Sequence, residues 1–239
     1  NNETEANQLR AAGLAAEESV VLDEHETALA TLGKPVPSVL PVLRRVMSTW
    51  PDHDIVLTNS DIYPATRGRG LTRLWRSGGG AVGLTREECH ALEAYTVRSS
   101  APYRGGLDTF FIASDRLPNV VETLEQSPSA AWMAFGAVGW DYLMGAAVLS
   151  PGVGGSVMDG SVLLHRSHRP TYSNIDGFDR FAQDLYQLGF VTSTTPVDAA
   201  HQFSVRLNRE CERNRAVAWA VKQIFFQPIR GKAPDAEGV

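Results

Sequence analysis

Apolar positions recur along this chain in two rhythms. Between residues 39 and 50, Leu40, Leu43, Val46, Met47 and Trp50 fall three and four apart, which predicts one buried face of a helix. Ser38 is placed to cap that helix, and Pro41 falls in its first turn, where a missing N–H costs little. Helical patterns also cover residues 3–12, 25–32, 66–77, 118–126, 135–149, 176–188 and 198–226. Thr85, Arg86, Glu87 and Glu88 read as the capped start of one more. The second rhythm is short and β-prone: residues 19–23, 55–58, 81–84, 107–113 and 161–165. Gly78, Gly79 and Gly80 break the chain before the third of these, residues 150–155 form a loop, and from 227 the tail looks loosely ordered. Helix, buried strand and polar residues in repeated succession predict an α/β protein, a central sheet flanked by helices, with a helical C-terminal region. Such sheets bind ligands at the carboxyl ends of their strands.

The 239 residues are 43% hydrophobic and 21% charged, enough to build a core and unlike a disordered chain. Twenty-two basic against 27 acidic residues leave a net charge of −5, which argues against a nucleic-acid binder. Cys89 and Cys211 stand apart with neither zinc-site nor disulfide-framework spacing, which fits a reducing, cytoplasmic setting. Residues 131–149 carry a single charge and resemble a membrane span. Asp141 near the middle and three glycines argue instead for a buried helix around a working carboxylate, with no transmembrane segment.

Candidate chemistry gathers at the ends of predicted elements: Asp61, Asp108, Asp141 and His165. Asp61, after Asn59 and Ser60, also suits a turn or helix cap, and Asp108 after Gly106 suits a turn. Asp141 is harder to explain structurally, because an acid in an apolar helix needs a partner or a solvent-filled cleft. His165 and His168 are three apart, but Pro170 opposes a helix there, and histidines are more often structural than ligands.

In order, the chain carries Asn59-Ser60-Asp61-Ile62 closing a strand and Gly106-Leu107-Asp108-Thr109-Phe110 opening another. Gly136 to Trp140-Asp141 and His165-Arg166-Ser167-His168 follow. This succession resembles bacterial glycosyltransferases of the GT-A, nucleotide-diphospho-sugar transferase type, over residues 1–175. The resemblance implies that residues 1–175 form a GT-A-like catalytic domain and that 176–239 are a helical extension. It implies a nucleotide-sugar donor, a glycan or other hydroxyl acceptor, and a place in polysaccharide synthesis. Asn59, Ser60 and Asp61 take the place of the family's Asp-x-Asp motif, and Asp61 with His165 or His168 would hold a divalent cation. A histidine nitrogen suits Mn²⁺ better than Mg²⁺. Asp108 would meet donor-sugar hydroxyls, Asp141 would be the general base of an inverting transfer, and Arg166 would reach the phosphates. Arg67, Arg69, Arg73, Arg76 and Arg169 are further phosphate candidates, although a solvated helix face explains most of them. The family's opening strand, which holds the base, is not found after Asn1: it lies outside these residues, or the site is incomplete. Two other functions fit the same residues, a catalytically silent GT-A-like binding module and a metal-dependent phosphoester hydrolase.

Overall fold

The computed structural model describes residues 26–27, 36–59, 62–64, 75–89, 92–93, 96–97, 100–103, 105–137, 139–160, 163–166 and 178–225. The segments predicted at 3–12 and 19–23, most of 25–32 and 66–77, and the tail from 227 lie outside them. The protein is α/β, with mixed sheets flanked by helices.

One sheet has the order β1 (Ile55–Thr58), β8 (Thr109–Ile112), β3 (Ala81–Leu84), β9 (Ser156–Met158). Its pairs are antiparallel on both sides of β8 and parallel between β3 and β9. The second has the order β2 (Ile62–Pro64), β10 (Leu163–Arg166), β4 (Arg86–Cys89), β7 (Ser100–Tyr103). A two-stranded hairpin joins β5 (Leu92–Glu93) to β6 (Thr96–Val97). The strands are therefore mixed in direction, so the site is not a row of parallel carboxyl ends.

Alternation of side chains explains why β3 and β8 are buried throughout. Phe110, Ile112, Ala81 and Val157 face one apolar cluster, whereas Phe111, Val82, Leu84 and Met158 face another. Among the described residues edge strand β1 is covered by helices on one face, and its Val56 is 55% exposed. The larger cluster is closed by α1 (Val39–Thr49), α2 (Leu117–Glu125) and α3 (Trp140–Leu149). It is completed by α4 (Phe178–Gln187) and α5 (Pro196–Arg213), through Phe181, Leu185, Phe203 and Leu207. The C-terminal helices thus share the core of the first sheet. The smaller cluster receives Ala218 from α6 (Arg215–Phe225). No helix among the described residues is long and apolar enough to cross a membrane.

Two predicted elements differ. Residues 85–88 do not cap a helix: Arg86–Cys89 is strand β4, held between β10 and β7. Pairing on both sides supplies the backbone hydrogen bonds that a local capping pattern offered only to a helix. The helix expected from 135 begins at Trp140, because Gly136 and Gly139 take left-handed φ values of 75° and 88°. Phe181 packs against Gly139, so a side chain there would meet both backbone strain and a ring 3.0 Å away.

Buried Asp184 in α4 accepts hydrogen bonds from the Ser127 hydroxyl and, at 3.0 Å, from the Ser129 N–H. It thereby satisfies a free donor at the start of the 3-10 turn Pro128–Trp132. Asp184→Ala is expected to cost about 1–3 kcal/mol, measured by urea unfolding, because that donor is left buried and unpaired.

Candidate functional site

Three chain passages run from the first sheet into the second: β1 to β2, β3 to β4, and β9 to β10. At this seam the ladders are interrupted and other groups satisfy the backbone. The Asp108 N–H donates to the Leu84 carbonyl, the Asn59 N–H to the Asp108 carbonyl, and the Gly160 N–H to the Thr85 hydroxyl. Antiparallel pairing sets Thr58 opposite Thr109, so the end of β1 meets the start of β8. That register brings Asn59 to Asp108, and the Asn59 side-chain N–H donates to Asp108 Oδ1 at 3.0 Å.

The same Oδ1 accepts a hydrogen bond from Arg86 Nη1. Arg86 also holds Glu88 Oε1, at 2.8 Å through Nε and 2.6 Å through Nη2, and its guanidinium lies 4.1 Å from the centre of the Tyr103 ring. Arg86 and Glu88 are two apart on one strand, so both project to the same face. Glu88 Oε2 then meets Nδ1 of buried His165 at 3.0 Å, and the Cys89 thiol donates to the His165 carbonyl. The result is one polar chain, Asn59–Asp108–Arg86–Glu88–His165.

Its members shift one another's pKa values. Burial pushes the Asp108 carboxyl up, and Arg86, His165 and the Asn59 hydrogen bond only partly offset it. Burial opposes the Arg86 charge, but Asp108 and Glu88 outweigh it and raise the guanidinium above its ordinary value. Glu88 also suffers from burial, yet bonds to His165 and Arg86 hold it below the usual carboxylate range. Asp108 Oδ2 is buried and has no hydrogen-bond partner among the described residues. A buried polar atom of this kind calls for a partner, whether a water, an ion or a ligand group.

Asp141 lies in the first turn of α3, where its Oδ2 accepts the Leu107 N–H at 3.1 Å. Its neighbour Trp140 anchors that turn edge-on against Phe110 and Phe135. The residue is half-buried. Burial dominates its carboxyl, and with the nearby Asp108 charge pushes the pKa up to about 7 against the N–H groups of Leu107, Asp141 and Tyr142. Tyr142 donates to the Gly105 carbonyl and receives the Ser204 hydroxyl at 2.8 Å, tying α5 to the site. Burial is the main cause of a Tyr142 pKa near 12, so it remains a neutral donor.

Gly106 makes room for this arrangement, since a Cβ there would stand 2.4 Å from Asp141 Oδ2. Gly106→Ala is expected to lower the kcat of a reaction that uses Asp141 by about 10²-fold, since a carboxylate displaced by about 1 Å is poorly placed. Comparing kcat with the thermal midpoint of the variant checks this, because the fold should survive.

Of the residues singled out in the sequence, Asn59, Asp108, Asp141 and His165 converge here from four separate segments. Ser60, Asp61 and His168 lie outside the described residues, as do Arg67, Arg69, Arg73 and Arg169. Arg166 ends β10 opposite Cys89, and its side chain lies outside what is described. Arg76 is exposed, as a solvated face predicts. The sequence pattern does not single out Arg86 and Glu88, although their like-facing i, i+2 placement is a signal, or Tyr142 beside Asp141.

Among the described residues no group of three His, Cys, Asp or Glu side chains is arranged to hold a metal. His165 is buried, with its Nδ1 engaged by Glu88 at 3.0 Å, and a carboxylate behind a histidine is the support that ligating histidines usually have. Comparison with protein-family models, with curated proteins and with solved structures finds no match.

Proposed function

We propose that this protein is a glycosyltransferase that moves a sugar from a nucleotide-diphosphate donor to an acceptor hydroxyl. The observation that carries the reading is the convergence of Asn59, Asp108, Asp141 and His165 on one seam, with a buried Asp108 oxygen that has no partner among the described residues near a carboxyl poised near neutrality. The resemblance to GT-A enzymes supplies the reaction class, and the geometry supports a role for each residue.

Asp108 Oδ2 accepts a donor-sugar hydroxyl, while Asn59 and Arg86 hold its other oxygen and fix the carboxylate plane. Asp141 takes the proton of the acceptor hydroxyl as that oxygen bonds to the anomeric carbon in an inverting transfer. The bond from that carbon to the diphosphate oxygen breaks, and the diphosphate leaves. A base titrating near 7 is suited to this work at neutral pH. Asp61 and His165, or His168, would hold a divalent cation, which when bound neutralises the charge on the diphosphate. Arg166 adds a cation on the same strand end as His165.

Isothermal titration of UDP, GDP and CDP, with Mn²⁺ and with EDTA, tests the reading. Saturable, Mn²⁺-dependent binding of one nucleotide that is lost in Asp61→Ala is expected. No binding of any of them to the folded chain would overturn it in favour of a non-catalytic binding module.

A further inference from the structure

A second polar surface lies away from the seam, on α5. Arg206, Arg209 and Arg213 follow one another at i, i+3 and i+7, so they form a stripe on one face of the helix. About 10 Å separates the first from the last, at 1.5 Å per residue. Ser204, which bonds Tyr142 at the seam, points roughly to the opposite side. The stripe lines a cleft of about 560 Å³ together with His201, Glu210 and Phe190. The Arg206 guanidinium is held 4.3 Å from the centre of the Phe190 ring. Arg213 is paired with Glu210, and Arg209 has no carboxylate partner among the described residues. Three arginines against one glutamate make a cationic cleft on a chain whose net charge is −5.

Phe190 also lines a second cleft, of about 460 Å³, whose wall has a different character. Asn119, Gln126, Gln187 and Ser150 contribute amides and a hydroxyl there. Phe190 lines both clefts, with spaced cations in one and amides, hydroxyls and one carboxylate, Glu122, in the other. An elongated ligand bearing both anionic groups and hydroxyls matches that division. Among the described residues neither cleft is lined by an exposed aromatic ring, which a stacked base or an inserted lipid anchor would use.

We infer that this groove binds an acidic saccharide, its carboxylate or phosphate groups on Arg206, Arg209 and Arg213 and its hydroxyls toward Asn119, Gln126 and Gln187. The saccharide class rests on the glycosyltransferase reading, and the groove would hold a part of the acceptor remote from the bond being made. Planar guanidinium groups suit both kinds of anion because they bind two oxygens at once.

The test is titration of the whole chain with a short oligogalacturonate and with a phosphorylated maltooligosaccharide, using the unmodified maltooligosaccharide as control. Saturable binding of an acidic oligomer is expected, weakened by added salt and by about tenfold or more in Arg209→Gln/Arg213→Gln. Both arginines are on the surface, so that variant should fold; circular dichroism verifies it. The inference is overturned by equal binding in the double variant or by no preference over the neutral oligomer. Tighter binding of a single-stranded oligonucleotide or of phosphatidylglycerol vesicles would overturn it as well. Groove binding without sugar transfer would remove the glycosyltransferase reading alone. Transfer that ignores the double variant for an acidic acceptor would remove the groove alone.

Discussion

Asp141→Asn is expected to reduce the kcat of the proposed sugar transfer by about 10²- to 10⁴-fold, the usual contribution of a positioned general base. The same change should make the folded protein more stable at pH 8. The Asp141 carboxyl has a folded pKa of about 7 against an ordinary 3.8, so the folded state binds its proton more tightly than the unfolded state. Its effect on stability is therefore most favourable below pH 4 and is lost as pH rises through about 7. Each pKa unit is worth about 1.4 kcal/mol, which puts the cost of ionising Asp141 at a few kcal/mol by pH 8. Asparagine never ionises and keeps an oxygen for the Leu107 N–H. Urea titrations at pH 4 and pH 8 should show the variant's advantage only at the higher pH. In wild-type protein, kcat/KM should rise as pH passes about 7, and the residual activity of the variant should lack that limb. Lost activity with gained stability is the signature of a group kept for chemistry. A variant that loses both would place Asp141 in the structure instead.

Arg86→Met should carry the largest loss of stability, about 3–5 kcal/mol by chemical unfolding. It removes the cation that holds both buried Asp108 and partly buried Glu88. Asp108 and Arg86 have side chains only 5% and 15% exposed, so water replaces little of what is lost. The physical cause makes a further claim. With Asp108→Asn added, the buried charge is gone, and the double variant should be more stable than the sum of the two single losses predicts. Simple additivity would mean that the guanidinium stabilises by packing on Tyr103 and not by compensating charge.

Much of the local structure was legible from spacing alone. The helix at Val39–Thr49 and the strands at Ile55–Thr58 and Ala81–Leu84 follow from which positions are apolar, and that pattern is a property of neighbours in sequence. Asp108 and Asp141 stood out for the same reason, as acids beside apolar runs that had to be buried. Arg86–Cys89 misled because Thr85 through Glu88 satisfies a local helix-start pattern, whereas its actual partners, β10 and β7, are not sequence neighbours.

The sequence alone determined the helix at Val39–Thr49, the strands at Ile55–Thr58 and Ala81–Leu84, the α/β class and the short set of acids and histidines worth watching. Only the tertiary structure decided that Asn59 and Asp108 touch, that Arg86 bridges Asp108 to Glu88 and His165, and that Asp141 titrates near neutrality. The division has one physical reason. Periodicity is written in residues a few positions apart, whereas hydrogen bonds, charge pairing and desolvation depend on atoms that meet only when β1 and β8 pair and the two sheets join at their seam.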